Sequence, residues 1–544
     1  MILKKNDIIN LTITSASAEG SGVGRTQDGI TVFVPLSAIG DELEVRILKT
    51  KKTYAFGKIE KIITPSPSRT EPDCENFSKC GGCVWRHISY EEECRIKQQK
   101  VIDAVTRIGG IKDAVFAPII TCDNTLRYRN KAQLPIGLDK NGEVQIGFYA
   151  FHSHRIVNCT DCVLQPEIFA KVIEVTRNFI SLTDNDIYDE RTGKGRLRHL
   201  YIRIGEVTNE LMVCYVVNGN GLRQEDLLVK MLHESFPNLT SVIINSNRED
   251  TNVILGAKNR TTFGKDYITD ELCGLKFKIS PFSFWQVNRK QAEKLYNKAK
   301  EYANLKSDEI LLDLYCGTGT IGLTMAEDCK TLVGVEIVQD AINDAEENAK
   351  MNGINNARFI CADAPKAAEK LKNDGLKPDV IILDPPRKGC GEELVKTIFE
   401  MSPSRVVYVS CDPATLARDL KYFTEGYYSV EEITPCDMFS RTAHVETVVL
   451  LSRKDIHERI KFDVNVEDLQ QRASATATYS EIRSFVFEKY GFKVSTLYIA
   501  QIKDKCGIKE RDNYNKGNGK TIDRICPPEK EKAIMDAFRH YGMI

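Results

Sequence analysis

Between residues 282 and 453, five short apolar runs (EILLDLY, TLVGVEI, ARFICAD, DVIILD and RVVYVSC) alternate with amphipathic stretches of helical period. Runs this uniformly apolar belong to strands buried on both faces, and helices between them imply parallel neighbours joined by crossovers. The pattern predicts an α/β domain of Rossmann-like type, a mostly parallel sheet covered by helices on both sides. Ligands of such sheets bind beyond the carboxyl ends of the strands, so the residues that end each run are where chemistry is sought.

The first run leads into Asp313-Leu314-Tyr315-Cys316-Gly317-Thr318-Gly319-Thr320, a strand-to-helix turn in which Gly317 and Gly319 let backbone approach a ligand. A plain tight turn would look the same, and Gly322 completes the G-x-G-x-x-G spacing of a dinucleotide loop. The following strands separate the readings. Glu336 ends the second run, where a carboxylate can accept both hydroxyls of a ribose, and Asp363 ends the third, placed to accept from an adenine amino group. No basic residue stands in the turn to hold a pyrophosphate, so S-adenosylmethionine is the expected cofactor and a dinucleotide the alternative.

The fourth run ends in Asp384-Pro385-Pro386-Arg387. Methyltransferases of exocyclic base nitrogens follow D-P-P with an aromatic residue that stacks on the base; Arg387 in its place points to another target atom and leaves Asp384 to read a base edge. The fifth run delivers Cys411, followed by Asp412 and Pro413 as N-cap and first residue of a new helix. A helix N-terminus lowers a thiol pKa and Asp412 opposes that, while a buried structural cysteine is an equal reading from position alone. Carbon 5 of uracil needs such a nucleophile, because only thiolate addition at carbon 6 makes carbon 5 reactive towards a methyl sulfonium. A base must then remove the carbon 5 proton. Glu446 is the expected base, with His444 on the same face of a strand-like segment orienting or assisting it.

At 544 residues the chain has room for three or four domains. Residues 1–65 alternate apolar and polar positions between glycine-rich turns, the pattern of a small OB-like β-barrel, and Lys49, Lys51 and Lys52 beside Tyr54 and Phe56 suit RNA. Pro65, Pro67 and Pro72 mark a linker into an α+β central domain over 66–280; the α/β domain spans 281–455. Residues 456–544 form a C-terminal extension of open role, with helical stretches near 482–490 and 529–540 and a lysine-rich middle from 503 to 524. Lys and Arg number 75 against 76 acidic residues, so an RNA surface must come from local clustering. No run approaches the roughly 20 apolar residues that cross a bilayer, and a cytoplasmic protein without a membrane partner is expected. In that reducing compartment the 17 cysteines are read as metal or catalytic groups before disulfides. Cys74, Cys80 and Cys83 have ligand spacing, Cys162 is the best fourth ligand and Cys159 its rival; spacing leaves zinc and an iron-sulfur cluster equal.

Phe284-Trp285-Gln286-Val287-Asn288, DLYCGTGTIGL, LDPPRKG, VSCDPATLARDL and TAHVE, in that order, resemble the RNA uracil-5 methyltransferase family over about 281–453. The resemblance implies Cys411 as nucleophile and Glu446 as base, with Gln286, Tyr315, Glu336 and Asp384 lining the cofactor and substrate pocket. Ser440 departs from it, since the family usually has proline there. A monomer is expected, and residues 1–65 resemble the TRAM domain of the ribosomal branch of the family, which implies 23S ribosomal RNA as substrate, with transfer RNA as the alternative. It also favours a [4Fe-4S] cluster on Cys74, Cys80, Cys83 and Cys162, structural or RNA-positioning, with zinc as the lesser choice. Methylation of cytosine carbon 5 or of a base nitrogen is a second hypothesis. A catalytically silent RNA-binding assembly factor is a third, against which Cys411, Glu446 and the glycine loop together argue.

Overall fold

Alternation in the first segment closes a barrel. Strands β1 (Ile8–Ala16), β2 (Gly22–Arg25), β3 (Thr31–Val34), β4 (Glu42–Thr50) and β5 (Tyr54–Thr64) pair in the order β1-β2-β3-β5-β4. Their inward residues, among them Leu11, Val32, Val45 and Ile47, form a core of their own. The computed structural model describes residues 3–454, 477–508, 526–541 and 543–544. The chain divides into two compact units, Met1–Lys454 and Asp455–Ile544. Among the described residues no helix is long and apolar enough to cross a membrane.

After β6 (Val115–Phe116), strands β7 (Lys131–Leu138), β8 (Val144–Tyr149), β9 (Ile156–Asn158), β10 (Leu197–Ile204), β11 (Leu211–Val217), β12 (Leu239–Ser246) and β13 (Lys258–Gly264) appear in turn. The last seven make the central sheet, ordered β13-β12-β11-β10-β7-β8-β9. A hairpin, β14 (Ile268–Leu272) with β15 (Leu275–Ile279), leads on to the catalytic sheet.

That sheet holds β16 (Ile310–Leu314), β17 (Thr331–Glu336), β18 (Ala357–Cys361), β19 (Val380–Leu383), β20 (Arg405–Ser410), β21 (Tyr428–Cys436) and β22 (Glu446–Arg453). Their order is β18-β17-β16-β19-β20-β22-β21-β6. The strands from β16 to β20 are parallel, as the apolar runs predict, and β22 enters antiparallel beside β20. Strand order reverses between β16 and β19, which opens a crevice at their carboxyl ends. Residues 90–116 fall in the stretch read as central domain, yet they pack on this sheet. Val101 and Val105, on and just beyond the Tyr90–Asp103 helix, share a core with Leu416, Leu420 and Ile433, and β6 pairs with β21 as the eighth strand. Burial against partners more than 300 residues away decides this, a contact that local period does not carry.

Candidate active site and cysteine cavity

The glycine loop leaves β16 under strain. Tyr315 has φ 75, a left-handed backbone that is costly for a residue with a side chain, and the amides of Tyr315 and Cys316 both donate to the Val335 carbonyl at 2.9 Å. Gly317 follows at φ 55, and a side chain there would project into open space. Gly319, at φ 83, starts the helix Thr320–Leu323. Glu336 braces the turn: one carboxylate oxygen accepts the Gly317 amide at 3.2 Å and the other accepts those of Ile337 and Val338 at 2.8 and 3.0 Å. Ile337 and Val338 are apolar and exposed, at 64% and 52%, a ledge beside Glu336 on which a flat base can lie. Asp363 makes no capping bond to the helix it precedes, so its carboxylate is open to a ligand. The Gly322 amide donates to Asp313 at 3.0 Å, and a side chain at Gly322 would meet Leu332 at 2.9 Å. That glycine serves helix-on-strand packing and offers no amide to a pyrophosphate.

Next door, the β20–β22 ladder ends at the Ser410–Thr447 pair, and Cys411 and Glu446 lie just past that last rung, near enough for the Glu446 charge to act on the thiol. Asp412 caps the following helix, accepting the Ala414 and Thr415 amides at 2.9 Å, with Pro413 first in the helix as the sequence predicts. The thiol does not follow the expectation of a lowered pKa. Burial, with the charges of Glu446 and Asp384, pushes Cys411 up to about 11, and Arg387 opposes them. Burial and Asp384 raise Glu446 to about 8, again against Arg387. Burial alone raises Asp384 to about 7. Four side chains therefore act on one another at the carboxyl ends of β19 and β20 and the start of β22, where Arg387 is the cation that offsets negative charge at both Cys411 and Glu446. His444 does not share a strand face with Glu446: β22 begins at Glu446, which is buried, and His444 is exposed in the turn before it. Partial burial of the ring and the nearby cations Arg387, Lys100, Lys97 and Arg129 lower the His444 pKa.

Gln286 lies beside Tyr296, whose hydroxyl reaches Thr320 at 3.3 Å and is pushed up by burial and by Asp384. The loop carrying Gln286 is tied to the loop carrying Glu446, because Asn288 donates to the Met438 carbonyl at 3.1 Å and Gln291 to that of Asp437 at 3.0 Å.

Cys74, Cys80, Cys83, Cys159 and Cys162 line one cavity of about 230 Å³. Both rivals for the fourth ligand thus reach it. Among the described residues no three cysteine, histidine or carboxylate side chains converge closely enough to grip a single ion. Arg86, Arg129 and Lys131 also line the cavity and no carboxylate does. The Gly82 amide donates to the Cys80 sulfur at 3.3 Å and Arg86 to the Cys83 sulfur at 3.4 Å. Arg86 Nη2 and Arg129 Nε are buried without a partner, and burial with Arg203 and Arg129 pushes Lys131 down to about 7. Arg86 pairs with Asp73 through its other nitrogen, yet buried donors left unsatisfied beside thiols still suit an anionic occupant.

Two family profiles match the chain: tRNA (Uracil-5-)-methyltransferase over residues 230–454 and TRAM domain over 3–59. An uncharacterized RNA methyltransferase of Clostridium tetani is 45% identical over 450 residues, 83% of this chain and 97% of that protein. The chain belongs to the RNA uracil-5 methyltransferase family. Another uncharacterized RNA methyltransferase, from Halalkalibacterium halodurans, is 42% identical over 83% of this chain and 98% of its own length. Among solved structures, Pyrococcus abyssi tRNA (uracil-54, C5)-methyltransferase in complex with S-adenosyl-L-homocysteine has a TM-score of 0.65 at 29% identity, covering 81% of this chain and 99% of that one. The protein is an S-adenosylmethionine-dependent RNA methyltransferase.

Sequence reasoning missed the group that holds the methyltransferase's late loop. Lys97, fully buried, donates to Glu93 at 2.7 Å, to Asp437 at 2.6 Å and to the Phe439 carbonyl at 3.1 Å. Tyr90 and Ser440 hydroxyls donate to the other Asp437 oxygen, each at 2.7 Å, and the Arg441 amide donates to Glu93 at 2.6 Å. Ser440, where the family usually has proline, thus secures the turn with its hydroxyl. Lys100 adds a bond to the Ala443 carbonyl at 2.9 Å and another to Ala18, in the barrel's first loop, at 3.1 Å. Glu93 and Lys97 stand four apart on one helix, an ion-pair spacing, but with nothing to mark it as buried.

Proposed function

We propose that this methyltransferase acts on carbon 5 of a uridine through a covalent Cys411 adduct. The observation that carries the reading is the nearness of Cys411 and Glu446 at the ends of adjacent strands, with Arg387 as their shared cation. The Cys411 thiolate bonds to carbon 6, and the electrons of the 5,6 double bond move onto the carbon 4 oxygen. S-adenosylmethionine supplies an electrophilic methyl group on a sulfonium. Carbon 5 takes that methyl as the enolate collapses; Glu446 then removes the carbon 5 proton, and the restored double bond expels the sulfur. Asp384, at the base edge, and Gln286 position the ring.

Glu446 must be ionised to act, so with its pKa raised to about 8 the rate of adduct resolution should climb as pH rises from 6 through 8. In Glu446→Gln that limb should vanish and the covalent adduct should accumulate. Loss of the glutamate charge also lowers the Cys411 pKa, so the adduct should form at lower pH than in the wild type. Denaturing gels of enzyme with RNA across pH check both; an E446Q enzyme that turns over normally contradicts the assignment.

The substrate read here is 23S ribosomal RNA, bound in part by the TRAM barrel, whose Phe33, Tyr54 and Phe56 rings cluster within 5.9 Å of one another beside exposed Lys51 and Lys52. The Pyrococcus abyssi protein, named for a transfer RNA uracil, favours a second reading. Nucleoside mass spectrometry of 23S and transfer RNA purified from cells with and without the gene separates them. 5-Methyluridine should disappear from 23S RNA. Disappearance from transfer RNA alone supports the second reading, and loss of a methylcytosine or an N-methylated base instead overturns carbon 5.

For the cysteine cavity we propose a [4Fe-4S] cluster on Cys74, Cys80, Cys83 and Cys162. It is anionic when held by four thiolates, and it spreads its ligands wider than a single ion does, as this cavity requires. Cys159, also at the cavity wall, is the rival for the fourth position. Protein purified without air should be brown and carry about four iron atoms per chain. Cys83→Ala should lose the colour, and a colourless protein with stoichiometric zinc contradicts the cluster.

A further inference from the structure

The tRNA (Uracil-5-)-methyltransferase match ends at residue 454, and the bacterial relatives, covered almost end to end by alignments of about 450 residues, have no counterpart for a stretch the size of the C-terminal unit. Its described residues form three helices, Tyr479–Tyr490, Thr496–Lys505 and Pro528–His540. Ile482, Val486, Ile499, Ile502, Ile534 and Phe538 are buried between them. The first helix carries a capping box from Thr478 to Glu481 and stops at Gly491, φ 75. Ser495 then caps the second helix, its hydroxyl accepting the Tyr498 amide at 3.3 Å. Two helices joined by a short glycine turn and backed by a third is helix-turn-helix connectivity, an arrangement many proteins use to grip nucleic acid. The second helix lay in a segment with no helical expectation.

The outer face of this pair is neither polar throughout nor neutral. Arg483 and Phe487, four residues apart, share one side of the first helix. Phe487 is 50% exposed and Leu497, in the first turn of the second helix, 48%. Lys493, in the turn between them, holds its ammonium 5.9 Å from the Phe487 ring. Lys489 and Lys505 are paired with Asp536 and Glu531 of the third helix, whereas Arg483 and Lys493 have no carboxylate partner among the described residues. In the sequence from 477 to 544, Lys and Arg outnumber Asp and Glu thirteen to nine, although the whole chain has 75 against 76. Unneutralised cations flanking an exposed aromatic ring match an RNA strand, with phosphates for the cations and a base face for the ring. A protein partner for the same apolar residues would not account for the excess positive charge.

We propose that the face formed by Arg483, Phe487 and Lys493 is a second RNA-binding surface, which holds a single-stranded segment by its phosphates and stacks a base on Phe487. The proposal rests on the family's RNA substrate and not on the Cys411 chemistry. The test uses the full-length protein and a fluorescein-labelled, 4-thiouridine-containing single-stranded RNA. Ultraviolet crosslinks should map to peptides within 479–505 as well as to the first unit. Phe487→Ala should remove only those in 479–505. Joint Arg483→Glu and Lys493→Glu substitution should weaken binding about tenfold and flatten its salt dependence, because phosphate contacts are lost. Both positions are exposed, so the melting temperature should hold; should the charge reversal misfold, Arg483→Gln with Lys493→Gln should still flatten the salt dependence. Crosslinks confined to residues 1–454, or capture of a protein at this face with RNA affinity unchanged, would overturn the proposal. A failed Cys411 assignment would leave the crosslinks in place.

Discussion

Cys411→Ala should lower methyl transfer by about 10³-fold or more, since loss of a covalent nucleophile removes the route and not merely a contact. Without sulfur at carbon 6, carbon 5 of uracil remains an alkene carbon too weakly nucleophilic for a sulfonium methyl. The residue is half-buried at a strand end and its side chain makes no ladder bond, so alanine should fold normally. S-adenosylmethionine binding should also survive, because the glycine loop and Glu336 belong to β16 and β17, not β20. Single-turnover transfer of labelled methyl and calorimetric binding of S-adenosylhomocysteine measure the two halves. Activity within tenfold of wild type would remove Cys411 from the chemistry.

Lys97→Met should cost about 3–5 kcal/mol of stability, the usual penalty for removing one partner from a buried ionic group. Burial opposes the lysine's charge, and Glu93 with Asp437 more than restores it. Without the ammonium, Asp437 loses its cation and Glu93 keeps only the Arg441 guanidinium at 3.6 Å. The loop from 437 to 446 should loosen as well, since Asp437 and the Phe439 carbonyl both take hydrogen bonds from Lys97. Denaturant unfolding should therefore shift together with a loss of Glu446-dependent turnover. Lys97→Met combined with Asp437→Asn should lose less than the sum of the separate changes, because one unpaired charge is gone. A Lys97→Met change below about 1 kcal/mol would mean that water reaches the site.

The catalytic sheet is legible in the sequence because its strands are buried on both faces, so that EILLDLY, TLVGVEI and RVVYVSC announce themselves without their partners. Candidate site residues at strand ends follow directly: Cys411, Asp384, Glu336 and Asp363 stand at or just beyond the carboxyl ends of β20, β19, β17 and β18. What sequence reading loses is set by distant contacts. The Tyr90–Asp103 helix carries Glu91, Glu92, Glu93, Arg95 and Lys97, and nothing local marks Glu93 and Lys97 as buried until Asp437 is placed against them. The thiol pKa of Cys411 misleads for the same reason. Its helix N-terminus is visible locally, while the opposing charges of Glu446 and Asp384 come from other strands. His444 and Glu446 look alternate in sequence, but the strand starts only at Glu446, so the alternation that would align them is absent.

The most direct measurement is to incubate the enzyme and S-adenosylmethionine with RNA carrying 5-fluorouridine at the methylated position, digest the product, and locate the linked nucleotide by mass spectrometry. Fluorine cannot leave as a proton does, so Glu446 cannot complete the reaction. The account predicts a methylated 5-fluorouridine bonded to the sulfur of Cys411. Full turnover with no protein-bound nucleotide, or a link through another residue, would contradict it.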